Sequence, residues 1–414
     1  MITIIKKINN IFFLLAFAFI FLGAMNFMNR YYVWFFAAIG MFFVGALGKS
    51  IKLNKECILL LIFSACIVAF SPDTFLKYTY LVKPFVYPLC YIFGYNVLIC
   101  FKKAGIKEQD KILKGILYLV AAALSCYVLL NTATNFGISG RAELVDFWTK
   151  TRSSATTMAA IAVIPLAWAV AILISKSKLT HKLVAAAVFV LSLYFNLLLS
   201  GRTLFVMAVL CVAGGFLFIM LEKKNLISFV KVMAIVLILC LLVVLLYSNN
   251  VFGIRDIIEN SPFYDRFFGK NKMEFGEDGR MENKLDHIKN MIYYPFGGDE
   301  LRESLNWRSA HDLYLDTYSY SSVFSFVALI LFMFSSLKKV LFLLKNSKIS
   351  FVTRQIIFSV YLLMHIEFLM EPILRGIPWF FAVYCLADGV LACVVKSLKS
   401  GKNTELNGTK EVIL

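Results

Sequence analysis

An all-α, polytopic membrane protein is the fold class that this 414-residue sequence predicts. Three observations carry the prediction: the apolar content, the recurrence of membrane-length apolar runs, and the side on which the basic residues fall. Sixty per cent of the residues are hydrophobic, 16% are charged and the mean hydropathy is +0.78, whereas soluble domains are nearer ~45–50% apolar. A run of about 17–25 apolar residues crosses ~30 Å of hydrocarbon as a helix, which satisfies its backbone hydrogen bonds internally. Such runs lie near 11–28, 31–48, 57–71, 79–101, 112–134, 154–175, 183–199, 203–221, 229–248, 313–337, 355–372 and 377–395, giving about twelve spans.

Sidedness follows from charge. With the N-terminus inside, alternate connections gather Lys49, Lys52 and Lys55, then Lys102, Lys103, Lys107 and Lys111, then Lys176, Lys178 and Lys182 on one side. Lys223, Lys224, Lys338, Lys339, Lys345, Lys348, Arg354 and the tail lysines join them. The opposite connections are close to neutral, so the net charge of +17 is a positive-inside pattern with both termini expected in the cytoplasm. Nucleic-acid binding, the other common meaning of a basic chain, loses its support. Lys6 and Lys7 precede a long run with no small-x-small cleavage site, which reads as an uncleaved first helix. All nine cysteines sit in or at the ends of apolar segments. Neither a disulfide framework nor a Cys/His metal spacing emerges, and no metal or cofactor is expected. No internal repeat or linker divides the chain, so residues 1–414 are expected to form a single transmembrane domain.

Among the external connections, Asn29-Arg30 is almost nothing, 135–153 is moderate and 249–312 is long. Within the long one, Gly279 to Tyr294 predicts an amphipathic helix between the ninth and tenth spans. Met281, Leu285, Ile288 and Ile292 recur at helical spacing, Asp278 is a candidate N-cap and Pro295 ends the helix. Its apolar stripe is expected on the bundle or at the lipid interface, with Arg280, Lys284 and His287 on the polar face. The chain then turns at Gly297-Gly298 and re-enters the membrane after Trp307, with His311 in the first turn of the tenth span.

Three motifs stand out: Ser200-Gly201-Arg202 between the seventh and eighth spans; Gly279-Arg280 with its helix and Pro295-Phe296-Gly297-Gly298; and Ala310-His311-Asp312-Leu313-Tyr314-Leu315. In order, spacing and common sidedness they resemble the O-antigen ligase and polymerase superfamily of bacterial inner-membrane enzymes, over roughly 135–340. The family more often has Ser-Arg-Gly at the first motif and His-Asn-Leu at the third. The resemblance implies a metal-independent, inverting glycosyltransferase acting on undecaprenyl-diphosphate-linked glycans of a surface polysaccharide such as O-antigen or capsule. It places Arg202 and Arg280 on the lipid diphosphate and His311 near the acceptor hydroxyl, with the site on the periplasmic side. It implies no cofactor; the partners are the lipid-linked oligosaccharide as donor and acceptor, membrane lipid and a chain-length regulator.

The residues support that chemistry on their own terms. A leaving diphosphate needs its developing charge stabilised, and guanidinium forks supply charge-assisted, often bidentate hydrogen bonds. Imidazole titrates near neutrality and suits a general base. The bland counterparts are a snorkelling boundary arginine for Arg202, a solvated ion pair with Glu277 or Glu282 for Arg280, and a satisfied interfacial histidine for His311. His181 and His365 read as structural. The loop carrying Arg141, Asp146, Trp148 and Arg152 is either an acceptor-binding loop, to which Asp312 and Tyr314 add, or an aromatic membrane anchor. Glu367, Glu371 and Arg375 form either a cavity-lining network or a simple Glu371/Arg375 ion pair. Lys83 is either cavity-lining or snorkelling.

Three functions compete: a repeat-unit polymerase, favoured by the resemblance of the His311–Tyr318 run; a ligase delivering the glycan to lipid A core or another acceptor; and a non-enzymatic exporter of lipid-linked sugar. The exporter reading lacks paired broken helices and a midplane path of charges in the sequence.

Overall fold

The structure, a computed structural model, describes residues 2–70, 81–101, 105–138, 143–199, 202–223, 241, 244–260, 264 and 279–408, with the backbone alone at 2–8, 156, 202, 223, 257 and 401–408. Every regular element among these is helical, and the one extended pairing among the described residues is an isolated bridge between Val145 and Arg152. In chain order the helices are α1 (Ile2–Ala24), α2 (Tyr31–Gly45), α3 (Lys55–Phe70), α4 (Val86–Tyr95), α5 (Ile106–Thr134), α6 (Ala155–Ile174), α7 (Leu179–Leu199) and α8 (Arg202–Lys223). They continue with α9 (Ile254–Glu259), α10 (Arg280–Asn290), α11 (Asp299–Ser304), α12 (Leu313–Tyr320), α13 (Val323–Leu344), α14 (Phe351–Met370), α15 (Ile373–Gly376) and α16 (Pro378–Gly408).

Seven described helices are long and apolar enough to cross a membrane: 106–134, 157–174, 179–199, 203–222, 323–344, 351–370 and 378–400. Shorter apolar helices occupy 9–24 and 31–45. Two expected spans take a different form. The run 79–101, described from 81 onward, is interrupted by short 3-10 helix at Lys83–Phe85, which contains Pro84, and again at Val97–Cys100, leaving α4 as a ten-residue α-helix between them. The run 313–337 is split at Ser321-Ser322, where Ser322 and Ser325 form a capping box that starts α13 afresh. Most of the run 229–248 lies outside the described residues.

The chain forms two compact units. Unit 1 contains 1–123, 279–354 and 368–414, and unit 2 contains 124–278 and 355–367. In unit 1, α1 packs on α2, α3 on α13, and α4 on α16. The last contact is a close backbone approach, since a Cβ on Gly94 would strike the Leu386 carbonyl and the Val390 nitrogen, and a Cβ on Gly389 would strike the Tyr91 carbonyl and the Tyr95 nitrogen. Two glycines facing each other bring the backbones together, and dispersion contact replaces the hydrophobic drive that lipid cannot supply between helices. Between α13 and α16 lies a buried ion pair, Lys339 Nζ to Asp388 Oδ2 at 2.6 Å. Ser336 donates to Asp388 Oδ1 at 2.6 Å, and Tyr384 donates to Ser336 at 2.7 Å. In unit 2, α6 is buried between α7 and α8, and Gln355 Nε2 donates to the Gly215 carbonyl of α8 at 3.3 Å.

These contacts set two expectations for purified protein in detergent. Gly94→Ala and Gly389→Ala overpack the α4–α16 contact at a cost of about 1–3 kcal/mol and lower the thermal unfolding midpoint. Gly40→Ala, whose Cβ meets nothing within 4 Å, does not lower it. Lys339→Met strands a buried carboxylate and costs about 3–5 kcal/mol, whereas Lys339→Met/Asp388→Leu recovers most of the loss; equal midpoints for the two would show that the pair is not held as described.

Candidate functional site

The site is built on α10, and its orientation is the reverse of an ordinary amphipathic helix packed on a core. Its stripe points outward: Met281 is 66% and Ile292 81% exposed, with Leu285 and Ile288 also exposed. The polar face turns inward. Arg280 Nη1 donates to Glu371 Oε1 and to the Met370 carbonyl, each at 3.1 Å. One turn later, Lys284 donates to the Leu369 carbonyl and stands 3.7 Å from Asp312 Oδ2. One turn further, His287 is buried, with Nδ1 2.7 Å from the Asn283 carbonyl oxygen. Burial pulls the His287 imidazole below its ordinary value, with the Asn283 and Arg308 backbones acting the other way. Asp278 lies outside the described residues; Gly279, at φ +63°, holds the N-cap position in a left-handed conformation that glycine adopts without strain. The helix ends at Asn290 and the chain reaches Pro295 through turns.

Opposite α10 lies the loop that carries His311. The Asp316 carboxylate on α12 accepts from Ser309 Oγ at 3.0 and 2.9 Å, from the Ala310 N–H at 2.9 Å and from the Asp312 N–H at 3.4 Å. That one side chain folds 309–312 back over the start of α12. Asp312 is the N-cap, accepting from the N–H groups of Tyr314 and Leu315 at 2.8 and 3.1 Å. Asp312 is therefore first a cap and a partner for Lys284. His311 precedes α12, and its φ of +52° is strained for a residue with a Cβ; strain of this kind gathers at functional sites. Burial pushes the Asp316 carboxyl up to about 6 and Tyr314 up to about 12. It raises Asp312 too, against the pull of the Leu315 N–H and Lys284.

The Pro295–Gly298 motif docks on α12. Gly297, at φ +70°, leaves no room for a Cβ against the Tyr318 carbonyl, the Gly298 N–H donates to that carbonyl at 3.3 Å, and Val323 N–H donates to the Phe296 carbonyl at 2.9 Å. Tyr318 OH donates to the Tyr294 carbonyl at 2.7 Å, above a small core of Leu301, Leu305 and Tyr318. The glycines of this motif thus serve a close backbone approach.

A further basic pair sits beside it, and only one member was singled out in the sequence. Arg302 is 1% exposed, ion-paired with Asp299 and set against the rings of Trp307 and Tyr320 at 4.5 and 5.0 Å. Arg375 lies 4.3 Å over the Tyr320 ring and donates to its hydroxyl at 2.5 Å. Burial, with Arg375 acting in the same direction, brings the Arg302 guanidinium down to about 10. Glu371 accepts from Arg280 and Arg375 donates to Tyr320. Arg302 carries no period or motif that would have marked it.

Unit 1 thus gathers Arg280, His311, Asp312 and Tyr314. Of the others, Arg202 opens α8 in unit 2 and only its backbone is described, while Arg141 lies outside the described residues. The Asp146 loop, in unit 2, is clamped to the end of α5. Asn135 exchanges two hydrogen bonds of 2.9 Å with the Val145 backbone, and Asn131 accepts from the Phe147 N–H at 3.0 Å. Asp146 Oδ1 accepts from the Trp148 and Thr149 N–H groups at 3.0 Å each, and Oδ2 from Tyr127 OH, so its carboxylate shapes the turn. Trp148 packs edge-on to Phe147 at 4.7 Å, and Arg152 is exposed. Among the described residues no three His, Cys, Asp or Glu side chains converge where they could hold a metal ion.

The buried Asp316 gives a pH signature. Its folded value of about 6 lies above the ordinary 3.8, so the folded protein takes up this proton before the unfolded chain does. The carboxylate therefore opposes folding above about pH 6, and that opposition is relieved as pH falls through 6 towards 4. Asp316→Asn is expected to flatten the stability profile across that window and to speed hydrogen exchange at Ala310 and Asp312; a profile identical to the native one would refute the assignment. No protein-family model matches this chain, and no curated protein matches its sequence.

Proposed function

We propose that this chain is a bacterial inner-membrane glycosyltransferase that polymerises undecaprenyl-diphosphate-linked repeat units of a surface polysaccharide, in the manner of the O-antigen polymerase and ligase superfamily it resembles. The observation that carries the reading is the orientation of α10. Arg280 turns inward onto Glu371 and Lys284 onto Asp312 beside His311, while its apolar stripe is left outward. A helix turned this way rests its stripe among lipid headgroups and holds its cations at the depth where the diphosphate of a lipid-anchored donor lies. The proposed topology has about twelve spans, counted from the apolar runs, with both termini cytoplasmic and 249–312 on the periplasmic side.

In the proposed reaction the acceptor sugar hydroxyl attacks the anomeric carbon of the donor. The new C–O bond forms as the bond to the diphosphate oxygen breaks, with inversion. The diphosphate leaves with the bonding electron pair, stabilised by Arg280 and Arg202, and His311 takes the hydroxyl proton. Glu371 orients Arg280, and Asp316 holds the His311 loop in its strained turn. Arg141, Asp146, Trp148 and Arg152, with Asp312 and Tyr314, are assigned to the acceptor sugar. The reading needs no metal, since the guanidinium groups carry the charge stabilisation.

The test is purified protein incubated with undecaprenyl-diphosphate-linked repeat units and EDTA, with products resolved on a gel. A ladder of lipid-linked oligomers is expected. Transfer that occurs only when lipid A core is added would make the enzyme a ligase. Inactivity in both would return weight to an exporter, for which the Lys339–Asp388 pair buried among the helices of unit 1 is the favouring observation. Arg202→Ala and Arg280→Ala should each abolish the ladder without loss of folding or insertion, and His311→Ala should slow transfer about 10²–10⁴-fold. Full activity in either arginine variant would sink the assignment.

A further inference from the structure

A second basic site lies at the other end of unit 1. Lys396 is roughly 27 Å along α16 from Pro378 at 1.5 Å per residue, about a hydrocarbon thickness from the α10 site. Here the loop between α2 and α3, the turn after α4 and the last apolar turns of α16 enclose a cavity of about 370 Å³. Lys49, Lys52 and Lys396 line it together with Ser50, Ser397 and Ser400, and among the described residues no acidic one does.

The walls are built. Asn96 clamps the Lys52 backbone from both sides, accepting its N–H at 2.8 Å and donating to its carbonyl at 2.9 Å. Lys49 Nζ donates to the Ile99 carbonyl at 2.8 Å and Lys396 Nζ to Tyr95 OH at 2.9 Å. Gln109 Nε2 donates to Ser397 Oγ at 2.8 Å. Among the described residues no carboxylate lies within ion-pair distance of the three lysines. Two ammonium groups, those of Lys49 and Lys396, are thus held on neutral oxygens, and the backbone of Lys52 is fixed beside them at the same cavity. Like charges brought together without a counterion repel, and a bound anion removes that repulsion. Serine hydroxyls beside the lysines are further groups able to donate to a phosphate.

We propose that this cavity binds a phosphate group, carried either by an anionic phosphoglycerol headgroup of the surrounding bilayer or by a soluble phosphate ester. The site is independent of the glycosyl-transfer reading. Basic pockets between membrane helices hold anionic headgroups by this chemistry, and the cavity admits a phosphodiester with its glycerol.

The experiment uses the full chain purified in detergent. Native mass spectrometry follows binding of dioleoylphosphatidylglycerol against dioleoylphosphatidylcholine, and calorimetry follows glycerol 3-phosphate. Phosphatidylglycerol bound about 30-fold more tightly by the native protein than by Lys49→Gln/Lys396→Gln, with phosphatidylcholine unchanged, supports the site and identifies lipid as its source. Glycerol 3-phosphate bound by the native protein and lost in the variant supports it with a soluble source. Lys49→Arg/Lys396→Arg should keep the binding. A loss there equal to the glutamine variant's, or an equal loss in Lys182→Gln outside the cavity, would overturn the proposal, as would both probes binding native and variant alike.

Discussion

A polar group buried among apolar helices has no water to fall back on, so it must find its partner inside the protein. Unit 1 is arranged around that constraint. Asp388 is met by Lys339 and Ser336, Ser336 by Tyr384, and Glu56 by Ser335 at 2.5 Å. These pairs tie α13 to α16 and to α3 at particular rotations about the helix axes, which apolar contact against lipid would leave nearly degenerate. The register they set carries the start of α13, and with it α12 and the His311 loop, to the α10 face.

The same constraint explains why α10 is turned over. A stripe of Met281, Leu285, Ile288 and Ile292 would be drawn into the core of a soluble protein. In a membrane protein the apolar phase is outside as well, so the stripe gains as much from lipid as from the bundle. The polar face is then free to seek partners inward, where the end of α14 offers the Leu369 and Met370 carbonyls and the Glu371 carboxylate. Arg280 and Lys284 gain charge-assisted contacts, and the Lys284–Asp312 pair joins α10 to the cap of α12.

Backbone proximity does the remaining positioning. Gly297 allows the chain to pass against the Tyr318 carbonyl, and Gly94 and Gly389 allow α4 and α16 to touch. Each is a place where a side chain would occupy space that main chain already fills. The Gly-Gly pair after Pro295 is part of a functional motif by resemblance, yet what it does locally is seat α10 and α11 on α12.

Composition and run length by themselves determined the helical class and most of the apolar helices, because helix formation in an apolar run depends on nearby residues alone. The period of Met281 to Ile292 likewise determined α10, and the Asp-Leu-Tyr run marked where α12 begins. What the stripe faces was left open, and only the tertiary structure turned it outward. It also broke the run at 79–101, split the tenth span at Ser321-Ser322, made Asp312 a cap, and gave Glu371 to Arg280 and Tyr320 to Arg375. Asn131 and Asn135 as clamps of the Asp146 loop, and Arg302 as a buried cation, had no local signature. The reason is that an ion pair between residues 91 apart, as Arg280 and Glu371 are, depends on how distant helices rotate and stack, and neither partner's neighbours in the chain carry that information.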